Sequence, residues 1–270
     1  MTAEIVERVL RSRRYHDVDP ALVERLAAEE LVRSCNADDA VKRVKRRLHQ
    51  AVGAFRGGVR SDPLAAVRAS WAGDLSAPAF RCATADVLAT HASTRERLPD
   101  LPSFYSPIWE VTGPPSRVLD IGCGLGPLAL PWMGLEAATT YHATDADRRP
   151  LGTVAGFLEL VGQPHVVEAR DAVAQAPFEA ADVALALKLV TTLDRQDPDT
   201  AARLLDCLPV GHAVVSFARR SLGGRGRGME RTYRERLDRL VEAVPRVRAM
   251  TERSVPSELV FILSLDPSDG

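Results

Sequence analysis

The sequence predicts a mostly parallel α/β sheet behind an all-helical N-terminal domain. Three observations predict it. Residues 1–90 carry helical spacing and almost no strand signals. From 117 onward, short β-rich apolar runs alternate with helical stretches. The first of those runs ends in closely spaced glycines. Strand–helix alternation places strands parallel, with helices on both faces of the sheet. The 270 residues suffice for two domains, about 1–100 and 101–270, and 46% hydrophobic content supports a buried core.

Asp19-Pro20 opens a helix with Leu22, Leu26 and Val32 on a repeating face. Val41, Val44, Leu48, Val52 and Phe55 form an apolar stripe that Gly57-Gly58 closes. Helical stretches follow at 62–73, 79–90 and 103–112, the last stopped by Gly113-Pro114-Pro115. RVLDIG (117–122) reads as a strand, and PLALPWMG (127–134) as a helix with Pro127 in its first turn. Strands at 139–145, 165–171, 182–190 and 212–218 alternate with helices at 149–162 and 199–209. Helix 229–244 precedes strands 246–254 and 258–265, which pair antiparallel.

Composition excludes several classes. The net charge is −1, so any affinity for nucleic acid must lie in how charge is distributed. The four cysteines are far apart, with no CxxC pair and no zinc spacing. They read as free thiols in a reducing cytosol. The N-terminus reads as helical and charged, unlike a signal peptide, and no apolar stretch nears the ~20 residues that span a bilayer. The chain reads as a soluble cytoplasmic protein with no membrane partner and no metal.

The glycines sit where an open α/β sheet binds ligands, at a strand's carboxyl end. Gly124-x-Gly126-x-x-Ala129 fits a dinucleotide fingerprint. The wider string Asp120-Ile-Gly122-Cys-Gly124-Leu-Gly126 fits another class better. It is a complete DxGxGxG and resembles the first motif of class I S-adenosylmethionine (SAM) methyltransferases, whose sheet is Rossmann-like. Asp145 ends the next strand about 20 residues on, where a carboxylate accepts hydrogen bonds from a ribose. Asp171 ends the third; in such methyltransferases an acid there faces the adenine amino group.

The methyl acceptor is narrowed by absence. The fourth strand ends in Leu187-Lys188-Leu189-Val190, not the Asp/Asn-Pro-Pro-aromatic motif of exocyclic-amine methyltransferases. Carbon methylation of pyrimidines needs a thiolate, and the nearest thiol, Cys123, lies inside the glycine loop. With no dedicated catalytic base or nucleophile, the acceptor needs its own lone pair, as guanine N7 has. Charge distribution points to RNA. Residues 40–60 hold seven basic residues and no acidic one. A second basic region, 216–237, places Arg219, Arg220, Arg225 and Arg227 on a glycine-rich loop.

Five segments together resemble the aminoglycoside-resistance 16S rRNA methyltransferases that modify guanine 1405 at N7. They are HASTRERLPDLPSFY (91–105), VLDIGCGLGPLALPW (118–132), YHATDAD (141–147), LALKLVTTLDRQ (185–196) and SLGGRGRGM (221–229). The resemblance implies a helical domain docking on the assembled 30S subunit, a monomer, and resistance to kanamycin and gentamicin. It implies SAM as methyl donor, with S-adenosyl-L-homocysteine as product. The cofactor residues it implies are His91, Arg95, Gly122, Cys123, Gly124, Gly126, Asp145, Ala146, Asp171, Ala172 and Leu187, with Arg95 facing the SAM carboxylate. The expected RNA contacts are Lys42, Arg43, Lys45, Arg46, Arg47, Lys188, Arg219, Arg225 and Arg227. Three other readings stay open: a methyltransferase of the neighbouring adenine N1, a small-molecule methyltransferase, and a non-enzymatic RNA-binding assembly factor.

Overall fold

The computed structural model describes residues 1–53, 62–174, 178–197, 199–219 and 229–267. Its strands are β1 (Arg117–Ile121), β2 (Thr140–Asp145), β3 (His165–Ala169), β4 (Ala181–Leu187), β5 (Val210–Ala218), β6 (Val247–Glu252) and β7 (Glu258–Leu265). They form one sheet in the order β3-β2-β1-β4-β5-β7-β6. β1 pairs in parallel with β2 and β4, β2 with β3, and β4 with β5. β7 runs antiparallel to β5 and to β6. The order reverses between β1 and β4, which leaves a crevice at their carboxyl ends.

Alternation along each strand divides the core. Val118, Val183, Leu185 and Val214 face one helical layer; Leu119, Ile121, Ala184, Val215 and Phe217 face the other. The N-terminal helices split the same way. α1 (Thr2–Leu10), α2 (Pro20–Leu31) and α3 (Ala37–Leu48) bury Ile5, Val9, Leu22, Leu26, Val44 and Leu48 in a core of their own. α4 (Ala65–Ser70) and α5 (Pro78–Leu88) belong to the sheet, where Val67, Phe80, Val87 and Leu88 join Val118, Leu128 and Phe157, and α6 (Ala92–Arg97) is tied to β7 through Arg97 and Glu258. The core therefore changes between Val52 and Leu64, and the boundary expected near residue 100 falls inside the sheet's helical layer. Backbone contacts join the first three helices to the sheet. Val18 bridges Asp147, the Asp19 N–H donates to the Ala146 carbonyl (2.8 Å), and the Arg148 N–H to that of Asp17 (2.8 Å).

Several expected elements are shorter, for reasons of backbone chemistry. The 103–112 helix is two, Leu101–Phe104 and Ser106–Thr112, because Pro107 has no N–H to continue the first and is suited to starting the second. Pro131 divides 127–134 likewise, into a 3₁₀ turn Gly126–Ala129 and a helix Leu130–Met133. β4 stops at Leu187, not 190, because Lys188 is left-handed at φ 58°. The stretch at 62–73 is helical over Ala65–Ser70. α3 passes into a π-turn, His49–Gly53, that carries Val52; Phe55 and Gly57-Gly58 lie outside the described residues.

Candidate cofactor pocket and RNA-facing surface

The crevice at the carboxyl ends of β1 to β4 is a cavity of about 560 Å³, the size of a small-molecule site. Of the residues expected at the cofactor, His91, Gly122, Gly124, Asp145, Ala146, Asp171, Ala172 and Leu187 line it. His16, Asp17, Leu22 and Val52 line it too, so the N-terminal helices supply part of the wall.

The glycine loop is held from below. Gly122 (φ +67°) and Gly124 (φ +52°) are left-handed, where a side chain is strained. A Cβ on Gly122 would stand 2.9 Å from Leu189 Cδ1, and one on Gly124 would stand 3.1 Å from His91 Cε1. The Gly124 N–H donates to Asp145 Oδ2 (2.8 Å), while Oδ1 accepts the Asp147 N–H (2.7 Å). The acid at the end of β2 thus fixes both loops around it. Cys123 and Gly126 do not line the cavity; they shape the loop from behind. The Cys123 N–H bonds the Thr144 carbonyl (3.0 Å), and the Cys123 carbonyl accepts the Gly126 N–H (2.7 Å). A Cβ on Gly126 would stand 3.1 Å from Asp120 Oδ2, so this glycine makes room for the acid beneath the loop. Burial drives the Cys123 thiol well up, away from a reactive thiolate.

Asp120 accepts the Tyr141 hydroxyl (2.8 Å), and burial pushes its carboxyl up to about 7. His91 is pushed down to about 4, first by burial and further by Lys188, against the pull of Asp147. At neutral pH its ring is uncharged. It packs over Gly124 and shares a hydrogen bond with Ser93 Oγ (3.0 Å).

Two expected residues are corrected. Arg95 is exposed and does not line the cavity. On α6, Thr94 and Arg97, three apart, take the inward face and leave Arg95 outside. Arg97 is the buried arginine: it donates through Nε to Glu258 Oε1 (2.8 Å) and through Nη2 to Oε2 (3.0 Å). Ser216 Oγ adds a third bond to Glu258 (2.6 Å). Lys188, expected to face RNA, is buried instead. Its Nζ donates to Glu96 (2.7 Å) and the Ser93 carbonyl (2.9 Å) and lies 3.3 Å from Glu258. Burial alone would raise Glu258, but Arg97 and Lys188 outweigh it and hold the acid below its usual range. The left-handed backbone of Lys188 costs about 1–2 kcal/mol, sustained where its side chain meets Glu96 and Glu258.

On the basic helix, Lys42 and Arg46 are exposed and Lys45 half-buried. Arg43 is drawn back to Asp39 (2.9 Å). Arg47 is a further correction. It turns inward to Glu29 (2.5 Å), Glu30 (3.1 Å) and the Gln196 carbonyl (3.1 Å), because its position flanks the buried Val44–Leu48 stripe. Sequence reading missed the exposed Arg11, Arg13, Arg14 and His16 after α1. Tyr15 reaches the Lys45 carbonyl (3.0 Å), and Arg14 Nη2 lies 2.9 Å from His49 Nδ1, which puts this loop beside the basic helix. The run RSRR was its signal. Arg219 is half-buried, 3.7 Å from Glu230; Arg220, Arg225 and Arg227 lie outside the described residues. Also missed were Glu258, Gln196 and Arg25, the last donating to Asp171 across the cavity rim (2.7 Å). A lone glutamate heading the apolar run ELVFILSL was the signal for Glu258.

Among the described residues, no helix is long and apolar enough to cross a membrane, and no three His, Cys, Asp or Glu side chains gather to hold a metal ion. Solved structures share the whole architecture. The 16S rRNA methylase RmtB superposes with TM-score 0.80 at 27% identity, covering 98% of this chain and 99% of its own. RmtF, solved with S-adenosyl-L-homocysteine, gives 0.79 at 31% identity, covering 98% of each. The sheet is thus a class I methyltransferase fold. The 16S rRNA (guanine(1405)-N(7))-methyltransferase of Frankia casuarinae is 40% identical over 266 residues, 95% of this chain and 91% of that protein. The enzyme of the same name from Micromonospora echinospora is 36% identical over 265 residues, 96% and 95% of the two chains. A family model described as ribosomal RNA methyltransferase (FmrO) matches residues 11–262, and the chain belongs to that family.

Proposed function

We propose that this protein transfers a methyl group from SAM to N7 of guanine 1405 in the 16S rRNA of assembled 30S subunits, acting as a cytoplasmic monomer. The observation that carries the reading is the cavity itself. It is built on Gly122, Gly124 and Asp145, and part of its wall comes from the N-terminal helices that present Lys42 and Arg46.

The residues fit SAM. Two left-handed glycines, where a Cβ would press on Leu189 and His91, let a ligand lie against the backbone. Asp145 ends β2 where a ribose is held, and Asp171 stands at the adenine end. Bound SAM supplies an electrophilic methyl group on a sulfonium. The chain's own work is positioning. Guanine N7 has a lone pair and no proton to lose, so alignment in place of a base lowers the barrier. Neutral His91 adds no cation beside the glycine loop. Lys42, Arg46 and the loop at 11–16 offer cations to phosphates. Methylation adds a positive charge and removes an acceptor from the base's major-groove edge, which repels the ammonium groups of kanamycin and gentamicin.

The test is methyl transfer from labelled SAM to purified 30S subunits and to naked 16S rRNA, mapped by borohydride–aniline cleavage. One cleavage at guanine 1405, in 30S subunits alone, is the expected result. Label without cleavage points to the adenine-N1 activity, and no label in either overturns the proposal.

A further inference from the structure

A chain of charged contacts crosses from the basic helix to the far end of the cavity. Arg25, on α2, donates through Nε to Asp171 Oδ2 (2.7 Å) and through Nη2 to Oδ1 (3.2 Å). The same guanidinium reaches Gln196 Oε1 (2.8 Å) and Glu29 Oε1 (3.1 Å). Arg47, on α3, holds the other oxygen of Glu29 (2.5 Å) and the Gln196 carbonyl (3.1 Å). Asp171 and Gln196 line the cavity; Arg25 and Arg47 do not. The backbone is held as well, the Asp171 N–H donating to Oδ2 of Asp19, the residue before α2 (3.2 Å).

We propose that Arg25 is a positioning residue for cofactor binding: carried by the N-terminal helices, it orients the Asp171 carboxylate toward the adenine amino group. The proposal rests on the reading of the cavity as a SAM site. Four observations support it. The pair is sheltered, with side-chain exposures of 17% for Arg25 and 4% for Asp171. A planar fork fixes the orientation of a carboxylate, which a point charge does not. The carboxylate is held from a third side as well, Oδ1 accepting the Val173 N–H (3.1 Å). Finally, Asp171 lies beside a second acid, Asp19; without Arg25, like-charge repulsion in a buried setting turns its carboxylate away. The N-terminal helices then complete the cofactor site as well as facing RNA, and Arg47 ties the two tasks together through Glu29 and Gln196.

The test is calorimetric binding by the full chain of two ligands, S-adenosylhomocysteine and S-inosylhomocysteine, which carries an oxo group in place of the amino group. The variants are Arg25→Gln, Arg25→Lys, Asp171→Asn and the Arg25→Gln/Asp171→Asn pair, each checked for folding by thermal unfolding. Arg25→Gln weakens the adenosyl ligand on the order of tenfold or more, as expected for a charge-assisted bond, and leaves the inosyl ligand within about twofold. Arg25→Lys recovers part of the loss. The double variant binds no more weakly than Asp171→Asn. Wild-type affinity in Arg25→Gln overturns the proposal. So does equal weakening of both ligands, which marks a merely structural contact. Should Arg25→Gln fail to fold, Arg25→Lys, which keeps the charge and loses the fork, carries the same comparison. If Asp171→Asn alone binds normally, the adenine-end reading of the cavity fails, and the role of Arg25 fails with it. Loss in Asp171→Asn without loss in Arg25→Gln overturns Arg25's role and spares that reading.

Discussion

The helices before and after residue 53 attach to the sheet in opposite ways. α4 and α5 are joined by apolar burial, with Val67, Phe80, Val87 and Leu88 in the same core as Val118 and Phe157, and α6 adds the buried Arg97–Glu258 pair. α1 to α3 keep their apolar residues to themselves and reach the sheet through Arg25–Asp171, Arg47–Gln196, Arg149–Asp17 and a short backbone bridge. Apolar burial is non-directional and scales with area. A charged fork contributes less net energy but sets an orientation. The first region therefore bears on whether the sheet's core forms, and the second on how a helical layer with its own apolar core is aimed at the cavity.

Four experiments break or sharpen this contrast. The largest effect belongs to Glu258→Ala, which strands Arg97 in the interior of the sheet-bound layer and takes one of two carboxylates from Lys188. Removing one partner of a buried pair costs about 3–5 kcal/mol, read as a shifted urea midpoint; a loss below about 1 kcal/mol contradicts the burial described. Leu26→Ala opens a hole in the separate core of α1 to α3 and costs about 2–5 kcal/mol. Hydrogen exchange then shows α1 to α3 losing protection while β1 and β4 keep theirs. Equal loss in both merges the two regions into one cooperative unit.

The third experiment is a pH series on the sheet side. His91 is depressed from 6.5 to about 4, so its contribution is present above 6.5 and lost as pH falls toward 4. Asp120 is raised from 3.8 to about 7, so its contribution is present below 3.8 and lost as pH rises toward 7. Each slope is up to about 1.4 kcal/mol per pH unit, and the two oppose over the shared window. Relative to wild type, Asp120→Asn gains stability as pH rises from about 4.5 to 6.5, and His91→Gln loses it. Parallel curves for all three proteins remove the assignment. The smallest effect on stability is that of Lys42→Glu with Arg46→Glu, within about 0.5 kcal/mol for exposed positions. The same pair weakens 30S binding and lowers its salt slope by about two; an unchanged slope takes α3 out of the docking surface.

Period-two apolar runs, glycine spacing and strand-end acids carried the sheet and half of the cavity in plain view, because each is a local pattern. What stayed hidden is non-local or too short to have a period. Arg25 and Asp171 are 146 residues apart, and no window contains both. Arg97 went unread beside Arg95 because a helix of six residues shows no face until it is packed. Arg47 looked like its exposed neighbours because its carboxylates belong to α2. Lys188 gave no hint of a left-handed backbone, since that conformation follows from the turn out of β4 and the acids around it.

β7 enters the sheet between β5 and β6 although it follows both in sequence. Glu258 heads it, 161 residues after Arg97. A chain growing from its N-terminus therefore holds Arg97 and Lys188 long before it holds their carboxylate. Contacts of such separation raise contact order and slow folding. Until residue 258 is made, α6 cannot bury its arginine, and a nascent chain stopped short of it carries the glycine loop beside an unclosed wall. The last strand to be made thus supplies the carboxylate that Arg97 and Lys188 share.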